Sequence, residues 1–121
     1  MSRRILTVDD SKTMRDMLAA TLRSDGWDVL QGEDGLHGIE VLGDTPVDVI
    51  ITDLNMPKLD GFGFIRRMRQ HPVHKATPIL MLTTESDPAK KAEGKAAGAT
   101  GWLVKPFDPA KLLQVVRKVC P

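Results

Sequence analysis

The 121-residue sequence has a single cysteine, few aromatic residues and no long apolar segment. Cys120 cannot form a disulfide within the chain, and such cysteine usage is typical of proteins in a reducing cytoplasm. The longest uninterrupted apolar runs have four residues, as at 79–82, whereas a membrane-spanning helix needs about 20. The first residues also lack the apolar stretch and cleavage site of a secretory signal. We therefore predict a cytoplasmic protein with no membrane partner.

An excess of charge of one sign is also absent. Seventeen Lys and Arg residues face sixteen Asp and Glu residues, which leaves a formal net charge of +1. Nucleic-acid-binding domains usually have a clear basic excess and aromatic residues on which bases stack. Aromatic residues make up only 4% of this sequence, so we expect no nucleic-acid partner. Apolar residues reach 41%, which is enough for the core of one ordinary domain.

Five short apolar or β-branched segments alternate with five segments at helical spacing. The third and fourth of these strand candidates are nearly continuous in apolar residues, which is typical of strands buried on both faces of a parallel sheet. The alternation predicts one α/β doubly wound domain over residues 1–121, a (βα)5 unit with a parallel five-stranded sheet. The strands are expected at residues 4–8, 27–31, 47–52, 78–83 and 101–104.

The helical segments differ in the apolar surface that they offer to a core. The fourth offers only alanines and has Gly94 in its middle. Because alanine buries little area and a mid-helix glycine costs roughly 0.5–1 kcal/mol relative to alanine, we predict that this helix is the least firmly held. The expected inward residues of the first two helices are Met14, Met17, Leu18, Leu22, Leu36, Ile39 and Leu42. Those of the fourth are Ala89, Ala92, Ala96 and Ala97.

Most chemically reactive side chains stand at the ends of predicted strands. Because ligands of doubly wound sheets bind outside the carboxyl ends of the strands, we expect these side chains to form one site. Three neighbouring carboxylates repel one another, so at least one pKa should rise unless a cation lies between them. The all-oxygen ligands favour Mg²⁺ over zinc, and a lysine beside such a site indicates phosphoryl chemistry. The residues concerned are Asp9, Asp10, Asp53, Thr83, Thr84 and Lys105.

Each of these residues also has an ordinary structural interpretation. Asp9 and Asp10 could simply begin the first helix, and Asp53 could be a turn residue. Thr83 is a common type of residue at a strand end, and Lys105 could be solvated. Only the combination favours a phosphoryl site.

Two further motifs predict no function. His71 and His74 form an H-x-x-H pair without a third ligand nearby, so we predict that both are solvated loop residues. Gly32, Gly35 and Gly38 lack the lysine and the spacing of a nucleotide-binding loop.

Four segments together resemble the receiver domains of bacterial two-component response regulators, and most closely the single-domain chemotaxis regulators of that family. They are VDDSKTMR from Val8, DLNMPKLDG from Asp53, the LTTE segment ending at Glu85 and GWLVKPF from Gly101. The resemblance covers essentially the whole chain. It implies a flavodoxin-like fold with strand order 2-1-3-4-5 and a cis peptide bond before Pro106.

The resemblance also implies roles for the acidic residues. Asp53 would be the phosphoacceptor for a histidine kinase phosphohistidine. Asp10, Asp53 and the main-chain carbonyl of Asn55 would bind Mg²⁺ directly, and Asp9 would act through a water. Lys105 would pair with the phosphoryl oxygens. The chain would then be a phosphoacceptor signalling protein that assists its own phosphorylation and dephosphorylation, and not an enzyme.

A switch is implied as well. Thr83 would turn towards the phosphoryl group, and Trp102 would turn inward, which reshapes the surface of the fourth helix, fifth strand and fifth helix. Asn55, Thr84 and Glu85 occupy positions that tune the lifetime of the acyl phosphate. The family commonly has Tyr or Phe where Trp102 stands, and the larger indole is expected to bury less fully, which weakens the coupling of its rotamer to phosphorylation. The residue after the switch hydroxyl is typically small, so we expect Thr84 to narrow water access and slow hydrolysis.

The expected partners are a chemotaxis-type histidine kinase and a separate effector, such as the flagellar motor switch protein, with a phosphatase as a further candidate. The chain is expected to be a monomer. One alternative is a phosphate sink for the kinase that drives no effector. Another is a haloacid-dehalogenase-type phosphatase, which would require an acid where Asn55 stands and a cap insertion.

Overall fold

A computed structural model describes residues 3–120 and contains one five-stranded parallel sheet. The strand order is β2-β1-β3-β4-β5, which confirms the doubly wound fold and the order implied by the resemblance. The strands are β1 Arg3–Val8, β2 Trp27–Gly32, β3 Val49–Thr52, β4 Ile79–Thr83 and β5 Gly101–Val104. The helices are α1 Lys12–Ser24, α2 Gly35–Leu42, α3 Gly61–Gln70, α4 Pro88–Ala97 and α5 Pro109–Val119.

Two strands begin later than predicted, each because of a single residue. Before β3, the carboxylate of Asp48 accepts a hydrogen bond from the Arg4 amide at 2.9 Å, and this side-chain contact takes the place of a regular ladder bond. Before β4, Pro78 has no N–H to donate, although its carbonyl still accepts from Ile50 at 2.9 Å.

The sheet separates two apolar clusters, and neighbouring residues of a strand contribute to opposite ones. Leu6 packs on the side of α2, α3 and α4 with residues such as Phe64, whereas Ile5 packs on the side of α1 and α5 with residues such as Leu18. Every residue of β3 and β4 is buried, as predicted from their continuous apolar pattern. The carboxyl ends of these central strands are therefore held rigidly from both sides.

Helix N-caps end the loops at the carboxyl edge of the sheet. Ser11 caps α1 by accepting a hydrogen bond from the Met14 amide at 3.2 Å, so α1 begins only two residues after Asp10. Asp60 caps α3 in the same way through Gly63 at 2.8 Å.

Two of the predicted inward residues are wrong. Met17 is 48% exposed and Leu36 is 41% exposed, although Leu18, Leu22 and Leu42 are buried as expected. An apolar stripe predicts a helical face only to within about one residue position, and Met17 and Leu36 lie at its margin.

Of the four predicted inner residues of α4, three are wrong and only Ala97 is confirmed. Ala89, Ala92 and Ala96 are exposed, whereas Gly94 and Ala97 are buried. The buried side of the helix therefore includes Gly94, where an added β-carbon would lie 2.7 Å from the Trp102 ring. The expectation that α4 contributes little apolar area is met, since only these two of its residues are buried.

His74 does not follow the prediction of a solvated loop residue. Its side chain is fully buried, and its Nε2 lies 2.9 Å from the Gly43 carbonyl, so it joins the loop after α3 to the end of α2. His71 is half-buried and pairs with Asp44 at 3.1 Å. Among residues 3–120, no helix has the length and apolar character needed to cross a bilayer.

Candidate functional site

Three carboxylates converge at the carboxyl edge of the sheet, as predicted. Asp9 and Asp10 follow β1, Asp53 follows β3, and one carboxylate oxygen from each lies within 4.8 Å of the others. We call these three residues the acidic pocket. Asp9 and Asp53 are buried, with 1% and 7% exposure, whereas Asp10 is exposed to solvent. The pocket is therefore open on the side of Asp10 and closed beneath the other two.

Lys105 provides the cation that balances the buried pair. Its Nζ donates to Asp9 Oδ2 at 2.8 Å and to Asp53 Oδ2 at 2.9 Å, and the lysine side chain is only 12% exposed. The main-chain amide of Lys105 donates to the Thr83 carbonyl at 2.8 Å, which ties the residue to the end of β4. The peptide bond to Pro106 is cis, as the resemblance implied. The structure thus brings together acids from β1 and β3 with a lysine from β5.

The other carboxylate oxygens of the buried pair also have partners. Asp53 Oδ1 accepts from the Leu54 amide at 2.7 Å, and Asp9 Oδ1 accepts from the Ser11 amide at 2.9 Å. Within residues 3–120, by contrast, no hydrogen bond or ion pair involves the side chain of Asp10. Its carboxylate is free to bind a ligand from solvent.

Burial and charge shift two pKa values in this site. Burial raises the pKa of Asp9 above its ordinary value, the hydrogen bonds from Lys105 and Ser11 oppose the rise, and the charge of Asp53 adds to it. Burial alone would lower the pKa of Lys105, but the hydrogen bonds and charges of Asp9 and Asp53 raise it above its ordinary value. The predicted rise of one carboxylate pKa is therefore found, although desolvation and not repulsion is its main cause.

The ligand atoms of the acidic pocket fit a hard divalent cation. All are oxygen atoms, and one carboxylate, that of Asp10, has no protein partner among residues 3–120. Mg²⁺ commonly uses one or two carboxylates and retains several waters. No histidine or cysteine joins the cluster in the described part of the chain, so a zinc site is disfavoured.

Within residues 3–120, none of the remaining predicted residues forms a hydrogen bond with the carboxylates of Asp9 and Asp53. Thr83 is 1% exposed at the end of β4, and its hydroxyl accepts from the Glu85 amide at 3.4 Å. Thr84 and Asn55 are exposed, and Glu85 is half-buried. The hydroxyl of Thr83 forms no hydrogen bond with Asp53 among the described residues.

Trp102 is held between the β4–α4 loop and α4. Its indole Nε1 donates to the Glu85 carbonyl at 2.9 Å, and its ring lies 6.4 Å from that of Phe62 between centroids. A β-carbon added to Gly94 would lie 2.7 Å from Cζ3 of the indole. Gly94 therefore makes the space that this large side chain occupies. The sequence signal for the contact is a glycine in mid-helix, where alanine would be the better helix former.

One residue near the pocket was not predicted at all. Arg15 lies in the first turns of α1, and its Nη1 donates to the main-chain carbonyl of Asp9 at 2.7 Å. Its side chain is only 12% exposed and lies 3.9 Å from Glu33. A helical arginine gives no sequence signal of such a contact, because solvated arginines on helices are common.

Comparisons with known proteins agree with this geometry. A family model described as response regulator receiver domain matches residues 5–117. The chemotaxis protein CheY1 of Helicobacter pylori is 37% identical over 118 residues, which cover 96% of this chain and 95% of that protein. The solved structure of chemotaxis protein CheY4 of Vibrio cholerae has a TM-score of 0.94 and 47% identity, with 98% of this chain and 99% of that chain covered.

A third comparison bears on the acidic pocket. The receiver domain of a sensor histidine kinase of Pseudomonas aeruginosa was solved with a magnesium ion coordinated in its active site cleft. Its TM-score is 0.91 at 28% identity, with 99% of this chain and 98% of that chain covered.

Proposed function

The chain belongs to the response regulator receiver domain family, and from this premise we propose that it accepts a phosphoryl group on Asp53 from the phosphohistidine of a histidine kinase. Residues 1–121 form one receiver domain in this proposal, and the protein acts as a phosphorylated signal and not as an enzyme. The observation that carries it is the bridge from Lys105 to both Asp9 and Asp53 beside the exposed Asp10.

The chemistry follows from the charges of the site. An oxygen of the Asp53 carboxylate attacks phosphorus, the phosphorus–nitrogen bond of the phosphohistidine breaks, and the imidazole leaves with the bonding electron pair. Lys105 offers an ammonium that is already next to the attacking carboxylate and can shift its hydrogen bond to a phosphoryl oxygen. The contribution of the protein is thus to position the groups and to neutralise charge.

We propose Mg²⁺ as the cofactor. Asp10, Asp53 and the Asn55 carbonyl would hold it directly, and Asp9 through a water. When bound, Mg²⁺ supplies positive charge that offsets the oxygens of the transferred phosphoryl group. Asp9 keeps its hydrogen bonds to Lys105 and Ser11 in this arrangement, which fixes the lysine for the phosphoryl oxygens.

The output surface in this proposal is formed by α4, β5 and α5. Thr83 would donate its hydroxyl to the phosphoryl group, and its hydrogen bond with the Glu85 amide would then be lost. The carbonyl of Glu85 accepts the hydrogen bond from the Trp102 indole. Glu85 therefore links Thr83 to the indole, and a movement of Thr83 would displace the indole. The shallow burial of α4 supports a change there at small cost.

A groove of about 300 Å³ adjoins this surface, lined by Lys91, Lys95, Thr100, Trp102 and neighbouring small residues. The effector would be a separate protein, and the chemotaxis names of the relatives support the flagellar motor switch protein. We propose that phosphorylation and effector binding take place in the cytoplasm and that the chain acts as a monomer.

The central test is mass spectrometry after incubation with acetyl phosphate and MgCl₂. We expect one added phosphoryl group, which should be absent without Mg²⁺ and in Asp53→Asn. Asp60→Asn, at a cap outside the pocket, is the matched control and should still be labelled. Labelling of Asp53→Asn, or none of the wild type, would overturn the assignment.

A second test separates the output from a phosphate sink. Motor-switch peptide is titrated against the protein with and without beryllofluoride, which imitates the phosphoryl group. A higher affinity in the treated protein supports the motor effector, and equal affinities favour the sink. Multiple turnover of a phosphate ester would favour a phosphatase instead.

A further inference from the structure

Arg15 fixes the main chain that carries the two adjacent acids of the pocket. The Asp9 carbonyl, which accepts from Arg15 Nη1 at 2.7 Å, belongs to the peptide unit that joins Asp9 to Asp10. The amide of Asp9 donates to the Gly32 carbonyl at 3.1 Å on the other side of the residue. The orientation of the Asp9–Asp10 peptide is therefore set by an arginine side chain from the following helix.

Asp10 depends on this peptide more than its neighbours do. Asp9 and Asp53 are each held by hydrogen bonds at both carboxylate oxygens. The side chain of Asp10 has no such bond within residues 3–120. Its position is thus determined by its backbone, and the backbone is held from one side by Arg15.

Arg15 is itself held firmly enough to act in this way. Its side chain is 12% exposed, its Nη2 lies 3.9 Å from a carboxylate oxygen of Glu33, and its main-chain carbonyl accepts from Gln31 at 3.3 Å. Because a guanidinium has several N–H donors in fixed directions, one nitrogen can donate to a carbonyl while another faces a carboxylate. The contacts come from the β1–α1 loop, β2 and the β2–α2 loop, so Arg15 joins three segments around the pocket to α1.

We propose that Arg15 is a positioning residue for the divalent cation site, acting through the Asp9–Asp10 peptide. This inference rests on the proposed function, because it assumes that the acidic pocket binds Mg²⁺. This role predicts a change in Mg²⁺ affinity opposite to the one that charge alone predicts. Removal of a nearby positive charge should strengthen cation binding, whereas loss of a positioning contact should weaken it.

The test compares Arg15→Gln and Arg15→Lys with the wild type in NMR titrations with MgCl₂. Changes to residues that orient metal ligands typically weaken metal binding by 10-fold or more, so we expect Arg15→Gln to raise the Kd for Mg²⁺ about 10-fold. Arg15→Lys keeps the charge and a donor nitrogen, so its Kd for Mg²⁺ should lie between those of the wild type and Arg15→Gln. Arg23→Gln is the matched control, because Arg23 is exposed in the last turn of the same helix. Its Kd should equal that of the wild type.

A second measurement needs no metal. The Ser11 amide, which donates to Asp9 Oδ1, should exchange with solvent faster in Arg15→Gln than in Arg23→Gln. A folded Arg15→Gln with an unchanged or lower Kd for Mg²⁺ would overturn the inference. If the wild type shows no Mg²⁺-dependent shifts, the proposed function fails first and the role of Arg15 fails with it.

Discussion

The contact between Gly94 and Trp102 can be tested by adding one methyl group to α4. In an exposed helix position, replacing glycine by alanine stabilises by roughly 0.5–1 kcal/mol, because the unfolded chain loses freedom. In this structure the new β-carbon of Gly94→Ala would lie 2.7 Å from Cζ3 and 3.1 Å from Cε3 of Trp102. The indole or the helix must therefore shift, and the two effects oppose each other.

The magnitudes decide the sign. Overpacking of a filled site costs typically 1–3 kcal/mol. Subtracting the helix-propensity gain leaves a net loss of about 1 kcal/mol in the free energy of unfolding. For a chain of 121 residues this corresponds to a fall in Tm of about 4 °C. The indole hydrogen bond to Glu85 limits how far the ring can move to relieve the contact.

A change of the tryptophan should reverse the sign. In a Trp102→Leu background the added methyl group has space, so Gly94→Ala should stabilise by roughly 0.5–1 kcal/mol. The coupling energy of the double-mutant cycle should then be about 1–3 kcal/mol. Ala92→Gly is the matched control, because Ala92 is exposed on the same helix and should cost the same in both backgrounds.

The assay is urea unfolding followed by far-ultraviolet circular dichroism for all four members of the cycle. The same experiment monitors Ala92→Gly in each background. If Gly94→Ala stabilises the protein that contains Trp102, or has the same effect in both backgrounds, the indole does not depend on the glycine and the reasoning is refuted.

Three further predictions concern charge and the mouth of the site. Lys105→Met should raise the pKa of Asp9 further, because the hydrogen bond from Lys105 lowers it. The free energy of unfolding should then fall more steeply than in the wild type as the pH rises from about 4. NMR titration of the Asp9 carboxyl checks the pKa, and unfolding at several pH values checks the stability. The hydrogen bond and charge of Arg117 lower the pKa of Asp25, so this pair stabilises the fold above the ordinary Asp pKa and the effect is lost below it. Arg117→Gln should bring the pKa of Asp25 back towards its ordinary value, and an unchanged titration would contradict this. Thr84→Ala should lose its phosphoryl group faster than the wild type, and equal rates in a phosphate-release assay would contradict a role in limiting water access.

The convergence of the site was predictable because it depends on topology. Once five strands run parallel, the residues that follow them lie along one edge, whatever their separation in sequence. Asp9 and Lys105 are 96 positions apart, and the order β2-β1-β3-β4-β5 still places them within hydrogen-bond distance. The strand order and the roles of individual residues came from the resemblance, because apolar periodicity gives strands without their arrangement.

Apart from the later starts of β3 and β4, the errors of the sequence interpretation concern the burial of individual side chains. His74 looked like a solvated loop residue, because its acceptor, the Gly43 carbonyl, is 31 positions away. Met17 and Leu36 satisfied the helical spacing but lie at the edge of the buried stripe. Periodicity fixes the direction of a Cα–Cβ bond, whereas burial depends on neighbours from other segments.

Gly94 and Trp102 show that unusual residues have to be judged in pairs. Taken alone, the glycine predicts a weak helix and the tryptophan predicts a ring too large for its position. Together they form one contact, in which the missing β-carbon admits the indole and the Glu85 carbonyl accepts its N–H. Because the same two groups connect α4 to the loop beside Thr83, displacement of the helix and rotation of the indole cannot occur independently. A smaller aromatic residue at position 102 should therefore weaken the connection between the loop and α4, even where it packs more easily.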